Sequence, residues 1–314
     1  MFDEPATLLL NSALMNLFNS ILAAIISIFP RWIIKPFAKP YVAGETITEA
    51  LTHINLLNGK EFAATLDILG EHVQSIDEAA DITKSYIEIL DAISEQDLDC
   101  NISIKPTHIG LDISYDTARD NLFSLLTKAK ELHSFVRIDM EDSPYTDASI
   151  KLYLEALVHY DNVGPVIQAY LHRSTEDIKR LNSEKFNVRI CKGIYSESET
   201  IALQLEDEIN DQFIQLVKNI ITGDGYVGIA THDLTLINAL DNWISENEIS
   251  PDRFEFQVLF GVPMKGRLQE LLDKGYTVRQ YVPFGKDWHD YSVRRLKENP
   301  AIVSYVIKNM FKKK

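Results

Sequence analysis

Residues 62–69 read FAATLDIL, a short β-rich run, and a helical pattern follows it over residues 77–96. A short run of this kind followed by a helix is the unit from which parallel sheets are built. The unit recurs along the chain, and the later runs are 101–105 (NISIK), 135–140 (FVRIDM), 165–170 (PVIQAY), 188–191 (VRIC), 226–230 (YVGIA), 254–260 (FEFQVLF) and 278–283 (VRQYVP). Further helical patterns cover residues 150–159, 197–221, 265–274 and 287–299.

Eight strands that are each followed by a helix predict an α/β fold, a closed (βα)8 barrel of the TIM type. We expect residues 61–314 to form this barrel and residues 1–60 to form a helical extension that covers it. The sequence contains no linker rich in Gly, Pro or Ser and no internal repeat. A single barrel routinely uses a chain of about this length, so a second domain is not expected.

The composition excludes several classes of protein. The 46 acidic and 31 basic side chains give a formal charge of −15, which disfavours a protein that must neutralise nucleic-acid phosphates. Cys100 and Cys191 are too few and too far apart for a disulfide framework or a zinc knuckle. We therefore expect a cytoplasmic protein in a reducing compartment, with no nucleic acid as partner.

Residues 7–29 form a segment without a charged side chain that is long enough to cross a bilayer. On a helical wheel, however, its Asn and Ser residues fall within one half-turn, which indicates an amphipathic helix. Asp3 and Glu4 stand where a secretory signal would be positive. Docking on the protein's own body is favoured, contact with the inner membrane surface is the second interpretation, and spanning is the third.

Polar residues accumulate where the predicted strands end, which is the face of such a barrel that carries the chemistry. They are Asp67, Glu71, Lys105, Asp139, Glu141, Gln168, Arg189, Lys192, Tyr195, Thr231, His232, Asp233, Gln257 and Tyr281. Since they include both acids and bases, they predict a site that handles anionic and cationic groups.

The last predicted helix carries Tyr291, Arg294, Arg295 and Glu298 on one face. Adjacent arginines repel each other, so this arrangement does not serve the helix itself. Two guanidinium groups side by side suit a carboxylate or a diphosphate, each of which they can bind bidentately.

Other motifs are weaker. The glycines 223, 225 and 228 spell a dinucleotide-binding fingerprint but precede a strand, so the segment is interpreted as a loop. No His residues stand at ligand spacing with His232, and no metal is expected. Lys105 or Lys192 could form a Schiff base, and that alternative stays open.

These motifs, taken together, resemble the monofunctional proline dehydrogenases, a flavin-dependent family with a distorted (βα)8 barrel. The resemblance covers residues 41–300 and is carried by YVAG (41–44), LDILGE (66–71), SIK (103–105), DME (139–141), QAYL (168–171), RICKGIY (189–195), ATH (230–232), FQVL (256–259), YVPFG (281–285) and YSVRRLKE (291–298).

The resemblance implies an FAD cofactor that lies over the strand ends. Arg189 would then lie beside flavin N5, Gln168 at the pyrimidine side of the ring, and Glu298 at the adenosine end. Arg295 would reach the diphosphate. The remaining cofactor positions would be Cys191, Lys192, Gly193, Thr231, His232 and Gln257. Ser196 and Asp233 depart from the residues usual in the family and affect the adenosine contacts.

The resemblance also implies L-proline as substrate, oxidised to 1-pyrroline-5-carboxylate by hydride transfer to flavin N5, with quinone as the electron acceptor. This is the first step of proline catabolism to glutamate. Asp139, Arg189 and Lys105 are the expected catalytic residues. Lys105, Arg294 and Arg295 would hold the carboxylate, while Tyr195, Leu259, Tyr281 and Tyr291 would line the ring. Competing hypotheses are a Schiff-base lyase and a non-enzymatic amino-acid sensor.

Overall fold

The computed structural model describes residues 31–181, 186–289 and 291–293, and eight strands are found in this part of the chain. They are β1 (Ala63–Ile68), β2 (Cys100–Ile104), β3 (Val136–Ile138), β4 (Val163–Gln168), β5 (Asn187–Cys191), β6 (Tyr226–Ala230), β7 (Phe254–Leu259) and β8 (Val278–Phe284).

The described helices alternate with these strands, after two that precede the first strand. They are α1 (Arg31–Ala38), α2 (Ile47–Asn58), α3 (Ile76–Glu95), α4 (Tyr115–Glu131), α5 (Thr146–His159), α6 (Ser174–Leu181), α7 (Glu206–Thr222), α8 (Leu234–Glu246) and α9 (Arg267–Asp273). Short 3₁₀ turns lie at Ser143–Tyr145 and Pro251–Arg253.

The strands form a closed barrel in the order of the sequence. All pairs are parallel, and β8 closes the barrel by pairing with β1 from Ala63↔Arg279 to Ile68↔Phe284. The predicted (βα)8 fold is therefore confirmed. Parallel strands in this arrangement direct all their carboxyl ends to one rim, where the loops before the following helices lie.

Short polar caps set where several helices begin. Thr46 forms a capping box with Glu49 at the start of α2, because its side chain accepts from the Glu49 amide and the Glu49 carboxylate accepts from the Thr46 amide. Ser75, Ser114 and Asp233 accept backbone N–H bonds in the same way at the starts of α3, α4 and α8. These caps fix the residue at which each of the four helices begins.

The strand residues divide between two environments. On β1, Leu66 is buried in the hydrophobic core, whereas Thr65 and Asp67 bond to polar groups. Thr65 Oγ1 bonds to Asn101 on β2, and Asp67 bonds to Lys105 just beyond that strand. Alternate side chains of a strand point to opposite faces, so the polar set lies inside the barrel.

One predicted helix starts at a different place. The pattern over residues 197–221 predicts a helix from Glu197, but α7 begins at Glu206. The Glu197 carboxylate instead accepts bonds from the Ser143 N–H and hydroxyl at 2.7 and 2.9 Å. Ala202 forms a bridge with Leu171, and these tertiary contacts hold the segment out of the helix. The strand bounds differ from prediction by up to two residues at either end.

Some predicted segments lie outside the described residues. They are the amphipathic segment 7–29, most of the predicted last helix and the terminal Lys312, Lys313 and Lys314. Within the described part of the chain, no helix is long and apolar enough to cross a membrane.

Candidate active site

A cavity of about 620 Å³ opens at the carboxyl ends of the strands. Its lining includes every predicted site residue that the structure describes: Lys105, Asp139, Gln168, Arg189, Cys191, Lys192, Gly193, Tyr195, Thr231, His232, Gln257, Leu259, Tyr281 and Tyr291. The predicted residues Arg294, Arg295 and Glu298 lie outside the described part of the chain.

Asp139 is the centre of the hydrogen-bond network at the cavity floor. Its Oδ1 accepts from Ser103 Oγ at 2.6 Å and from Arg189 Nη1 at 2.7 Å, and its Oδ2 accepts from Tyr281 OH at 2.9 Å. The side chains of Arg189 and Asp139 are only 8% and 13% exposed, so water screens this ion pair weakly. These contacts fix the Asp139 carboxylate between a cation and a phenol.

Tyr281 has a pKa well above the ordinary tyrosine value, because the ring is buried and the Asp139 and Asp67 carboxylates lie near it. The phenol therefore stays protonated and donates to Asp139. The Arg189 guanidinium lies 5.1 Å from the centre of the Tyr281 ring. Tyr281 thus contacts both members of the Asp139–Arg189 pair.

Lys105 forms a second ion pair, with Asp67, at 2.9 and 3.0 Å. Burial lowers the pKa of Lys105, but the charges of Asp67, Asp139 and Glu141 and the bond to Asp67 together raise this pKa overall. Burial raises the pKa of Asp67, and the charge of Lys105 opposes that rise. Each member of this buried pair thus shifts the pKa of the other toward its charged form.

The Glu141 carboxyl group accepts from neutral donors, whereas those of Asp139 and Asp67 are paired with cations. Burial raises the pKa of Glu141 to about 7, although the Thr107 N–H and hydroxyl both bond to it. The backbone carbonyl of Glu141 accepts from Gln168 Nε2 at 2.8 Å. That bond fixes the amide of Gln168, which is 3% exposed, at the cavity wall.

The loops after β5 and β6 supply the next part of the wall. Lys192 Nζ bonds to Asp233 Oδ2 at 2.8 Å and lies 3.6 Å from Glu206 Oε1. Burial raises the pKa of Asp233, but the Lys192 bond and backbone N–H groups lower it overall. His232 Nε2 accepts from the Leu259 N–H at 2.8 Å, so this nitrogen carries no proton.

Gly193 and Cys191 have structural requirements of their own. Gly193 has a φ of +113°, and a methyl group there would lie 2.2 Å from the Tyr170 ring. Burial raises the pKa of the Cys191 thiol to about 12, so it is neutral and unreactive near neutral pH. Among the described residues, no group of three or more His, Cys, Asp or Glu side chains could hold a metal ion.

Asp67, Ser103 and Glu255 take part in these networks, although no role was predicted for them from the sequence. Asp67 was visible as a polar residue at a strand end, but its pairing with Lys105 depends on the register between neighbouring strands. In β2 and β7, polar residues alternate with apolar ones: Ser103 follows Ile102, and Glu255 follows Phe254. This alternation places the polar side chains on the opposite face from the apolar ones, and it was the sequence signal that could have pointed to them.

Comparisons with known proteins show the family of this chain. The model of the proline dehydrogenase family matches residues 50–308. Proline dehydrogenase 1 of Bacillus subtilis (strain 168) is 37% identical over 276 residues, which cover 88% of this chain and 91% of the relative. The proline dehydrogenase of Deinococcus radiodurans is 30% identical over 280 residues, covering 88% of this chain and 90% of the relative.

A solved structure has a similar fold. It is that of proline utilization A (PutA) from Bdellovibrio bacteriovorus inactivated by N-propargylglycine, with a TM-score of 0.77 and 25% identity. The likeness covers 84% of this chain and 32% of that one, so this chain spans about a third of its length. The family model matches most of this chain, and the Bacillus relative aligns with it over most of both chains. The chain therefore belongs to the proline dehydrogenase family.

Proposed function

We propose that this chain is an FAD-dependent enzyme that oxidises L-proline to 1-pyrroline-5-carboxylate and passes the electrons to a quinone. Family membership supports proline as the substrate and implies a flavin. The observation that carries the proposal is the buried Asp139–Arg189–Tyr281 network, which lies on the cavity floor at the carboxyl rim of the barrel.

The residues present fit a flavin. The cavity volume of about 620 Å³ is in the range that holds an organic cofactor or ligand. Gln168 offers an amide, Thr231 a hydroxyl, and Arg189 a guanidinium whose described bonds use only Nε and Nη1. When bound, a flavin supplies the hydride acceptor.

Residues on the rim would divide this cofactor between them. Arg189 and Gln168 would hold the ring, and Cys191, Lys192, Gly193, Thr231, His232 and Gln257 would contact the rest. Arg295 and Glu298 are proposed for the diphosphate and adenosine from the sequence alone. A cation at Arg189 favours negative charge that develops beside it, which is how this side chain would assist the transfer.

Proline is a zwitterion with an apolar ring, and the cavity offers matching groups. Lys105, with Arg294 and Arg295 from the sequence, would bind the carboxylate, and Tyr195, Leu259, Tyr281 and Tyr291 would surround the methylenes. The amine must lose its proton before hydride leaves the adjacent carbon. The cavity floor contains two ion pairs, Lys105–Asp67 and Arg189–Asp139, whose charges cancel. A floor with a net negative charge would raise the pKa of the proline amine and keep it protonated, and this floor has no such charge.

The Schiff-base alternative is less well supported. A nucleophilic lysine needs a lowered pKa, whereas Asp67 raises the pKa of Lys105. Lys192 is paired with Asp233 and Glu206. Borohydride treatment in the presence of a 2-oxo acid such as pyruvate, which has the carbonyl that a lysine amine condenses with, should therefore leave no substrate covalently attached, and an adduct on Lys192 would favour the lyase.

Turnover tests the proposal directly. Purified protein supplied with FAD, L-proline and a soluble quinone under nitrogen should form a cyclic imine that condenses with 2-aminobenzaldehyde to a coloured product. D-Proline serves as the matched control for chirality. A protein that binds L-proline but forms no imine with any quinone would contradict the oxidation and favour the sensor.

Quinone in a bilayer would require contact with a membrane surface, and we propose residues 7–29 and the terminal lysines for it. The proposal predicts that removal of residues 1–30 weakens binding to anionic liposomes while turnover with a soluble quinone is kept. Equal liposome binding by the truncated and full-length chains would count against this role.

A further inference from the structure

A chain of hydrogen bonds runs from the cavity floor into the interior of the barrel. Arg189 Nε on β5 donates to Gln257 Oε1 on β7 at 2.6 Å, and Gln257 Nε2 donates to Glu255 Oε1 at 2.5 Å. Arg279 Nε on β8 donates to both oxygens of Glu255, at 2.9 and 3.0 Å. Arg189 lines the cavity, whereas Glu255 and Arg279 lie beneath it.

The Gln257 amide lies between a group that only donates and a group that only accepts. A guanidinium has no acceptor, and an ionised carboxylate has no donor. Of the two orientations of the amide, only one therefore satisfies both neighbours. It places the oxygen toward Arg189 and the nitrogen toward Glu255, which is the orientation in the structure.

Glu255 must be ionised to impose this orientation. It is 3% exposed, and burial raises its pKa, but the Arg279 charge and the hydrogen bonds from Arg279 and Gln257 lower it overall. Glu255 is therefore an acceptor only at neutral pH, and two donors hold its carboxylate in place.

Gly228 on β6 provides an independent sign that the position of Gln257 is constrained. A methyl group on Gly228 would lie 2.4 Å from Gln257 Nε2. The absence of a side chain at Gly228 thus leaves the space in which the Gln257 amide lies.

We propose that Glu255 is a positioning residue for Arg189: it fixes the Gln257 amide with its oxygen toward Arg189 Nε and so holds the guanidinium against Asp139. The consequence for the flavin rests on the proposed function, but the positioning itself is a property of the protein alone.

Glu255→Gln makes the test sharp because it changes donors and acceptors at nearly constant volume. Oε1 of Glu255 accepts from both Gln257 Nε2 and Arg279 Nε, so the new amide has two orientations to choose from. With its nitrogen at the Oε1 position two donors face each other at Gln257, and with its oxygen there the neutral amide accepts more weakly than the carboxylate does. In both orientations the Gln257 amide is held less firmly, and with it the bond to Arg189 Nε.

The matched control is Asp241→Asn. Asp241 is also buried and paired with two cations, Arg267 and Lys274, but it lies on α8, away from the residues that line the cavity. It therefore reports what the loss of a buried ion pair does to the protein as a whole.

The first readout needs no cofactor. Arginine labelled with ¹⁵N at Nε gives an Arg189 N–H signal, identified by its absence in Arg189→Lys. We expect its exchange with solvent to become roughly tenfold faster in Glu255→Gln and to stay unchanged in Asp241→Asn. In the loaded enzyme, kcat should fall roughly tenfold in Glu255→Gln with KM for proline within about twofold, because Arg189 acts on the transfer rather than on substrate binding.

Rescue separates positioning from simple destabilisation. In the double variant Glu255→Gln/Gln257→Glu, the carboxylate at position 257 accepts from Arg189 Nε. The amide at position 255 then donates to that carboxylate and turns its oxygen toward Arg279, so slow exchange of the Arg189 N–H should return. If Glu255→Gln does not fold, Gly228→Ala displaces the Gln257 amide and should give the same fast exchange.

Unchanged Arg189 exchange in Glu255→Gln, or fast exchange that persists in the double variant, would overturn the inference. A protein that binds no flavin or ignores proline would refute the proposed function instead, and the exchange measurement would still decide the role of Glu255.

Discussion

The buried pair of Asp139 and Arg189 can be tested with a double-mutant cycle of Asp139→Asn and Arg189→Met. Removing one partner of a buried ion pair costs about 3–5 kcal/mol of unfolding free energy, because the other charge is left buried. Each remaining partner keeps some bonds: Arg189 keeps Gln257, and Asp139 keeps Ser103 and Tyr281. We therefore expect about 3 kcal/mol for each single variant, the lower end of that range.

The double variant should cost far less than the sum of the two single variants, because neither charge is then left without its partner. A coupling energy of about 2–3 kcal/mol is expected, measured by urea unfolding of the flavin-free protein with tryptophan fluorescence as the signal. Both single variants should also lower kcat about 10²-fold, the usual effect of losing one preorganised group at the reacting centre.

Asp241→Asn is the control here as well, since its carboxylate is 3% exposed and bonded to Arg267 and Lys274. It should lose a similar unfolding free energy and keep its kcat. Unfolding energies that add within about 0.5 kcal/mol would refute the direct coupling of Asp139 and Arg189. An unchanged kcat in Arg189→Met would remove that residue from the chemistry.

Three further predictions concern specificity, substrate binding and pH. Because Tyr281 would crowd a hydroxyl on the substrate ring, kcat/KM for proline should exceed kcat/KM for 4-hydroxyproline by at least about tenfold, and Tyr281→Ser should reduce this ratio. Comparable kcat/KM values for the two substrates in the unaltered enzyme would contradict the prediction. Arg294→Met should raise KM for proline roughly ten- to hundredfold, since about 1.5–3 kcal/mol of charged hydrogen bonding is lost, and an unchanged KM would exclude the residue from the carboxylate site. Burial lowers the pKa of His72, but the 2.7 Å bond to Asp112 and the charges of Asp112, Glu71 and Glu141 together raise it. The pairing therefore stabilises the fold fully below the unfolded pKa of about 6.5, and its effect is lost as pH rises through the folded value. His72→Asn, which tolerates the local φ of 58°, should therefore lower the unfolding free energy by less than about 1 kcal/mol at about pH 5.5 and by even less at about pH 8.5, and the opposite order in urea titrations would disprove the pairing.

The barrel could be predicted from the sequence because its strands and helices have different hydrophobic periods. The runs at residues 226–230 and 254–260 coincide with β6 and β7 to within one residue. The start of α7 could not be predicted, because the Glu197–Ser143 bonds and the Leu171–Ala202 bridge join parts of the chain that are far apart in sequence.

The rim residues could be predicted in the same way, since strand ends in a closed parallel barrel meet at one face. The ion pairs that these residues form with one another could not be predicted. Whether Lys105 bonds to Asp67, and whether Arg189 bonds to Asp139, depends on the registers between strands, which a hydrophobic pattern does not encode. The chain of hydrogen bonds from Arg189 through Gln257 to Glu255 could not be predicted for the same reason.

We expect this cavity to hold a flavin that L-proline reduces. The visible absorption spectrum of the purified protein, recorded without oxygen before and after addition of L-proline, decides whether it does. The flavin bands should bleach on addition of L-proline. A protein that stays colourless and inert after FAD is supplied, or flavin bands that L-proline leaves oxidised, would contradict it.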